Sequence, residues 1–153
     1  MINPRVVLVT LTLSASAFVG LLTFEGYSDK PIIPIKGDVP TIGFGTTEGV
    51  KPGDIMTPVK AVQRAIADVQ KFEGAVKQCV KVPLYQYEYD AYVSLSYNIG
   101  TGAFCASTLV KKLNAQNYEG ACKEILRWNR AKGRVVDGLT NRRQKEYKQC
   151  LGI

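Results

Sequence analysis

The chain has 153 residues, a net charge of +7 and no histidine. This length favours a single domain. The lack of histidine excludes Ser-His-Asp hydrolases, Cys-His peptidases and the common His-bearing zinc sites. Carboxylates are then the main candidates for acid–base catalysis, and we expect neither a metal nor another cofactor. The excess charge lies after residue 110, where there are eleven basic and four acidic residues. This third of the chain is therefore expected either to meet an anionic partner or to form a solvated helical face.

The four cysteines allow three disulfide pairings. None of them has the C-x-x-C spacing of a zinc or redox motif. Two structural disulfides are expected if the chain is exported, and buried free thiols if it stays in a reducing compartment. We favour the pairs Cys79–Cys105 and Cys122–Cys150, although the spacing alone leaves all three pairings open.

The N-terminal stretch has one basic residue, Arg5, and no charge over residues 6–24. As a helix these 19 residues would span about 28 Å, close to the hydrocarbon core of a bilayer. Several Ser, Thr and Gly residues dilute its apolar character, so its hold on a membrane would be weak. We predict an export helix over residues 1–24 with its N-terminus inside. In order of preference it is released later, cleaved after the small residues 15–17, or permanently anchored.

The stretch from residue 24 to residue 47 has an acid at its entrance, another at its turn and a hydroxyl just beyond the turn. Glu25 opens it, an apolar run covers residues 32–35, and Asp38 ends a Lys-Gly-Asp turn before T-I-G-F-G over residues 41–45. Apolar residues on both sides of such a turn predict a β-hairpin. Three prolines remove hydrogen-bond donors and limit it to short edge strands.

Helical patterns follow this hairpin. A helix is predicted to begin at Thr57-Pro58, with apolar positions recurring as far as Cys79. A second helix follows Pro83 and ends at Gly100. Two short helices over 109–113 and 118–128, a loop at 132–134, and a last helix capped by Thr140 or Asn141 complete the chain. The sequence predicts a mainly helical α+β domain over residues 25–153, without repeats or linkers.

These motifs resemble those of the phage-type lysozymes, glycoside hydrolase family 24. The resemblance rests on E-G at the end of the first helix, T-I-G-F-G in the hairpin, the segment from Tyr97 to Leu109, and G-L-x-x-R-R near the C-terminus. It implies a lysozyme-like fold with a hairpin lobe and a helical lobe. It also implies a muramidase that hydrolyses the β-1,4 bond between N-acetylmuramic acid and N-acetylglucosamine in peptidoglycan.

The family's catalytic Glu and Thr match Glu25 and Thr41. The family's Asp has no counterpart at its commonest spacing, so we assign its role to Asp38, the nearest acid, with Asp29 as the alternative. In this assignment Glu25 is the general acid, and Asp38 and Thr41 lie across the sugar ring. Thr46 stands where many members of the family have a histidine.

The resemblance also implies substrate-binding residues. In this family the segment from Tyr97 to Leu109 forms the helix turn behind the cleft, and by position Tyr97, Asn98 and Ser107 would contact the sugar chain. Without the resemblance, the same segment predicts a helix corner, because two glycines in three residues permit a tight turn.

The N-terminal stretch is similar to that of signal-anchor-release endolysins. This implies a phage endolysin for host cell lysis, held in the inner membrane by residues 1–24 and then free in the periplasm. It would act on peptidoglycan as a monomer, without binding nucleic acid. Two alternatives remain: a catalytically inactive basic envelope protein with the same fold, which binds wall or membrane, and a nucleic-acid-binding protein that uses the basic C-terminal third.

Overall fold

The chain divides into two compact units in the computed structural model, which describes residues 4–34 and 36–153. We call Phe18–Lys71 the hairpin unit; the helical unit combines the residues up to Ala17 with Phe72–Ile153. The described residues form mostly helices and two small antiparallel sheets; the helical character and the first sheet were predicted, and the second sheet was not. The helices are α1 Ala15–Glu25, α2 Pro58–Cys79, α3 Gln86–Ile99, α4 Thr101–Cys105, α5 Thr108–Asn114, α6 Tyr118–Glu124 and α7 Asp137–Leu151. The strands are β1 Ser28–Ile32, β2 Thr41–Gly43, β3 Arg130–Ala131 and β4 Arg134–Val135.

The predicted hairpin is present, but its first strand begins earlier than the apolar run over 32–35. Strand β1 pairs with β2 so that Ser28 lies opposite Gly43 and Ile32 opposite Thr41. The loop before α2 binds the other edge of β1, since the amide of Met56 donates to the carbonyl of Asp29 at 2.9 Å. This bond holds the polar residues in the strand. Of the predicted apolar run, Ile32 ends the strand, Ile33 and Pro34 follow it, and Ile35 lies outside the described residues.

Helix α3 forms the centre of the helical unit, and every residue from Glu88 to Tyr97 is buried. Its first turn is closed by Glu88, whose carboxylate accepts the amide of Tyr85 at 2.8 Å. Its end is set by Gly100, whose φ of 89° lies in the range that glycine adopts without a steric penalty. The predicted boundaries of this helix are therefore confirmed.

The C-terminal region differs from the prediction in two details. Helix α7 begins at Asp137, before the predicted caps, because the amide of Thr140 already donates to the carbonyl of Val136 at 2.9 Å. An acid in the first turn also suits the positive end of a helix dipole. The predicted loop is the turn of a hairpin, in which Lys132 and Gly133 both have positive φ angles, as a type I′ turn requires.

Both favoured disulfides are present, and both lie in the helical unit. The Cα atoms are 5.6 Å apart in Cys79–Cys105 and 5.7 Å apart in Cys122–Cys150. The first disulfide joins the end of α2 to the end of α4, and the second joins α6 to α7.

The structure does not show the predicted N-terminal export helix as one continuous element; residues 1–3 of its range lie outside the described residues. Residues Leu8–Thr10 form a single 3₁₀ turn, and α1 begins only at Ala15. The backbone of Val6 exchanges two 2.9 Å hydrogen bonds with Leu84. None of the helices in the described ranges combines the length and apolar character needed to cross a membrane.

Side chains of the helical unit bind the polar groups of this N-terminal segment. The guanidinium of Arg5 pairs with Glu88 at 2.8 Å and lies over the rings of Tyr85 and Tyr118. Hydrogen bonding to Glu88 raises the pKa of Arg5, so the guanidinium stays charged. Residues 5–14 therefore pack as an integral part of the helical unit.

Two further acids accept hydrogen bonds from the end of this N-terminal segment. The amide of Leu13 donates to Glu73 at 2.7 Å, and Asp90 accepts the amide of Ser14 at 3.0 Å and its hydroxyl at 2.7 Å. Glu73 also accepts the hydroxyl of Tyr89 at 2.8 Å. Burial, together with this bond, raises the pKa of Tyr89 well above its ordinary value, so the phenol remains a donor.

Candidate active site

Glu25 is the last residue of α1, and its carboxylate packs against the backbone of Gly45. A Cβ atom on Gly45 would lie 2.8 Å from Oε2 of Glu25 and 3.3 Å from its Cδ. Gly45 also has a φ of +81°, which other L-residues adopt only with strain. The second glycine of T-I-G-F-G thus leaves room for the carboxylate.

Aromatic packing holds this turn close to the end of α1. The rings of Tyr27 and Phe44 lie 5.5 Å apart, and the hydroxyl of Tyr27 donates to the carbonyl of Met56 at 2.6 Å. A Cβ atom on Gly43 would lie 2.7 Å from the sulfur of Met56. The first glycine of the motif therefore lets the hairpin approach the loop before α2.

A buried hydrogen bond anchors the other end of the turn. The hydroxyl of Thr46 donates to Asp68 on α2 at 2.6 Å, and both residues are buried. The backbones of Ile42 and Thr46 also exchange two hydrogen bonds across the turn, at 2.9 and 3.0 Å. Where many family members have a histidine, this chain holds the turn with a neutral hydroxyl and a carboxylate.

Asp68 was missed by the sequence analysis, although its position carried a signal. It falls three residues after Ala65 and seven after Ala61, on the face of α2 that these fully buried alanines define. An acid on a buried helix face needs a hydrogen-bond partner, and Thr46 is that partner.

The other candidate catalytic residues lie on and beside the two strands. Thr41 begins β2 and is half-buried, and its hydroxyl lies 3.4 Å from the carbonyl of Ile32. Asp38 is exposed in the bend that precedes β2, and Asp29 is exposed within β1. The hairpin unit thus contains Glu25, Thr41 and both candidate acids.

The candidate substrate-binding residues belong to the helical unit. Tyr97 is 9% exposed, and its ring packs 4.9 Å from that of Phe72. Ser107 caps α5: its hydroxyl donates to the carbonyl of Phe104 at 2.6 Å and accepts the amide of Val110 at 3.2 Å. Ser107 therefore has a structural role, and its contact with sugar stays a prediction.

Asn98 is exposed, and a buried guanidinium orients its amide. The Nη2 atom of Arg143 donates to Oδ1 of Asn98 at 2.9 Å, which directs the amide nitrogen away from this bond. Arg143 also pairs with Glu146 at 2.8 Å, and Oε1 of Glu146 accepts the hydroxyl of Ser94 at 2.7 Å and Nε of Arg142 at 3.0 Å. The R-R pair of the last motif thus belongs to a buried ionic network.

The chemistry available in the hairpin unit is that of carboxylates and a hydroxyl. Across the described residues, no group of three or more acids or cysteines is arranged to hold a metal ion. A carboxyl group held against a glycine turn, with other acids on the same hairpin, suits general acid–base catalysis. Two carboxyl groups that flank a glycosidic bond are the usual machinery of glycoside hydrolases.

Comparisons with known proteins agree with this chemistry. The SAR-endolysin of Pseudomonas phage phiKMV is 40% identical over 141 residues, which cover 90% of this chain and 87% of that protein. The endolysin of Salmonella phage P22 is 36% identical over 141 residues, which cover 89% of this chain and 95% of that protein. The solved endolysin from Escherichia coli O157:H7 phage FAHEc1 has a TM-score of 0.80 at 37% identity, covering 93% of this chain and 94% of that one.

The fold is thus lysozyme-like, and both curated relatives are named endolysins. The profile of the family described as Phage lysozyme matches residues 22–146. That match begins just before Glu25 and ends at Glu146, so it spans the hairpin, the central helix and the buried network. With these residues matched, the chain belongs to the phage lysozyme family.

Proposed function

We propose that the chain is an endolysin that hydrolyses the β-1,4 bond between N-acetylmuramic acid and N-acetylglucosamine, with Glu25 as the general acid. Glu25 protonates the glycosidic oxygen, and Asp38 and Thr41 orient a water molecule across the sugar ring. The observation that carries this assignment is the contact between the Glu25 carboxylate and Gly45. A proton donor must be held still during the transfer, and a glycine turn with a second anchor at Thr46 supports that requirement.

The test is the rate of reducing-end release from purified peptidoglycan by wild type and Glu25→Gln. Glutamine keeps the shape of the side chain but cannot deliver a proton, so the rate should fall about 10²- to 10⁴-fold. The control is Glu48→Gln, which removes an exposed acid of the same unit that pairs with Lys71. A Glu25→Gln protein with near wild-type activity would contradict the mechanism. Mass spectrometry should find hydrated muramic acid ends; anhydro ends would indicate a different reaction.

The role of the second acid is tested by comparing Asp38→Asn with Asp29→Asn. We expect the larger loss from Asp38→Asn, because Asp38 precedes Thr41 by three residues. A larger loss from Asp29→Asn would transfer the role to the acid within β1. If neither variant loses activity, this assignment of a family Asp is wrong.

The N-terminal segment is proposed to act first as a signal anchor and then as part of the enzyme. In the membrane it exports residues 25–153 to the periplasmic side; after release it binds Glu73, Glu88 and Asp90. Two observations support this order. The relative from phage phiKMV is named a SAR-endolysin, and the bonds of residues 5–14 in the helical unit cannot coexist with a place in a bilayer.

Release is tested by making the segment more apolar. Leucine at Thr10, Thr12, Ser16, Gly20 and Thr23 should hold the protein in the inner-membrane fraction and delay lysis at unchanged expression. Serine in place of the three threonines serves as the control. Lysis on the normal schedule by the leucine variant would contradict release, as would an intact mass that shows cleavage after Ala17. Because no cysteine precedes Cys79, release should also be insensitive to thiol reagents.

A further inference from the structure

The hairpin unit contains an apolar pocket that neither the catalytic residues nor the candidate sugar-binding residues use. Its volume is about 490 Å³, within the range typical of ligand sites. Its walls come from both sides of the hairpin and from the loop before α2, and the following residues carry the argument: Lys30, Pro31, Ile33, Pro40, Asp54 and Ile55.

The pocket lies beside the candidate catalytic strand. Pro40 directly precedes Thr41, and Lys30 directly follows Asp29 in β1. Ile33 is 58% exposed and Ile55 is 73% exposed. Apolar side chains grouped and exposed around a concavity commonly mark a binding surface.

Two charges of opposite sign accompany these apolar walls. No hydrogen bond or ion pair of the Lys30 ammonium occurs within the part of the chain that the structure describes. Asp54 accepts the amide of Lys51 through Oδ2 at 2.7 Å, which fixes the orientation of its carboxylate. The pocket thus offers a cation, an anion and an apolar wall within one unit.

We propose that this pocket binds the stem peptide of peptidoglycan, the short chain of alternating D- and L-amino acids attached to the lactyl group of muramic acid. This inference rests on the proposed muramidase function. The peptide carries small apolar side chains, free carboxylates and, where it contains a diamino acid, an ammonium group. Lys30 would bind a carboxylate, Asp54 the ammonium group, and the proline and isoleucine walls the methyl and methylene groups.

The same observations disfavour other occupants. A sugar ring needs several hydrogen-bonding side chains or an aromatic platform, and the pocket lining has no aromatic residue. An anionic membrane would need a basic excess, but residues 29–60 contain four basic and four acidic side chains. A zwitterionic peptide matches both the balanced charge and the apolar walls.

The experiment compares two substrates: intact peptidoglycan, and glycan strands from which an amidase has removed the peptides. We expect wild type to cut the peptide-bearing substrate faster. The variants Lys30→Gln and Ile55→Ser should each lose about tenfold in rate on that substrate, since a charge-assisted bond or an apolar contact with the peptide is lost. Their rates on naked strands should stay at the wild-type level.

Each variant has a matched control on α2. Lys60→Gln removes an exposed lysine outside the pocket, and Val59→Ser removes a side chain that is 69% exposed. Both controls should keep the wild-type ratio between the two substrates. Equal losses on both substrates, or no loss, would overturn the peptide site, as would a wild type without preference. If a pocket variant kept its rates on both substrates but no longer sedimented with anionic lipid vesicles, the surface would be a membrane-binding site instead.

These outcomes separate the two proposals. If wild type cuts neither substrate, the muramidase function itself is wrong. If it cuts both at equal rates and the pocket variants do the same, the muramidase function stands and the peptide site does not.

Discussion

The two units of the molecule satisfy their polar groups in different ways. In the helical unit, charged side chains are fully buried and paired, as with Arg143 and Glu146, and two disulfides cross-link the helices. In the hairpin unit, the strands are short, apolar side chains such as Ile33 and Ile55 are exposed, and the acids of the hairpin are accessible. From this difference we expect substitutions in the helical unit to reduce mainly stability and substitutions in the hairpin unit to reduce mainly activity.

The largest stability effect is expected from Glu146→Gln. This change leaves Arg142 and Arg143 buried without their shared negative charge, and breaking such a pair typically costs about 3–5 kcal/mol. The free energy of unfolding in urea, followed by the fluorescence of Trp128, measures it. The control Glu119→Gln changes the charge equally at an exposed position and should have little effect. A cost below about 1 kcal/mol would contradict the proposed role of the network.

The next effect is expected from removing the Cys122–Cys150 disulfide by alanine substitution. It closes a sequence separation of 28 residues, for which loop entropy predicts about 3.5 kcal/mol of stabilisation. The comparison of units predicts that the double variant loses stability but keeps its wall-hydrolysing rate below its melting temperature. A variant that stays folded but is inactive would mean that this disulfide also shapes the chemistry.

Gly45→Ala should have the opposite effect to removal of the disulfide: a large loss of hydrolysis rate and a small loss of stability. The added Cβ atom would meet the Glu25 carboxylate at 2.8 Å, and misplacing a catalytic group by about 1 Å can cost up to 10²-fold. Gly49→Ala is the matched control, because its φ is also positive but nothing lies near the added atom. Both variants should lose about 1 kcal/mol of stability. The pH profile of kcat should change only in Gly45→Ala; equal activity of the two variants would contradict the positioning role.

The smallest effect concerns Glu124, whose pKa is lowered by hydrogen bonding to Lys112 and then to Arg127. A lowered carboxyl pKa stabilises the fold above the unfolded value and loses this contribution as the pH falls through the folded value. Glu124→Gln should therefore be less stable than wild type at neutral pH, by less than about 1 kcal/mol. The difference in melting temperature should shrink as the pH falls below about 4. A constant difference would exclude the charge as its cause.

Most of the helical architecture could be predicted from the sequence, because caps and periodicity are local signals. Pro58, Gly100 and the apolar rows between them set the limits of α2 and α3 as predicted. The first strand begins earlier than predicted because its position depends on a backbone hydrogen bond from Met56, which is remote in sequence. The loop at Lys132 was predicted but not the hairpin that it closes, because a lysine with positive φ is uncommon.

Only those residues of the candidate site that belong to sequence motifs could be predicted. The pattern T-I-G-F-G identified Thr41 and the turn, but it gave no indication that Gly45 would face Glu25. Asp68 and Arg143 were missed as partners of Thr46 and Asn98, because tertiary packing rather than spacing pairs them. The bonds of residues 5–14 were not predicted for the same reason: their partners Glu73, Glu88 and Asp90 are 60 to 83 residues away.

The bonds of Ser14 limit how the N-terminal segment can diverge in evolution. Its amide and hydroxyl bind Asp90, and the hydroxyl also accepts the amide of Ala17. If the segment also passes through a bilayer, its residues are under selection both in lipid and in the folded protein in water. Leucine at position 14 would suit lipid and lose the hydroxyl bonds, and aspartate would repel Asp90 and oppose insertion. Among random variants selected for lysis, position 14 should keep Ser or Thr, whereas exposed Val19 should drift freely among apolar residues.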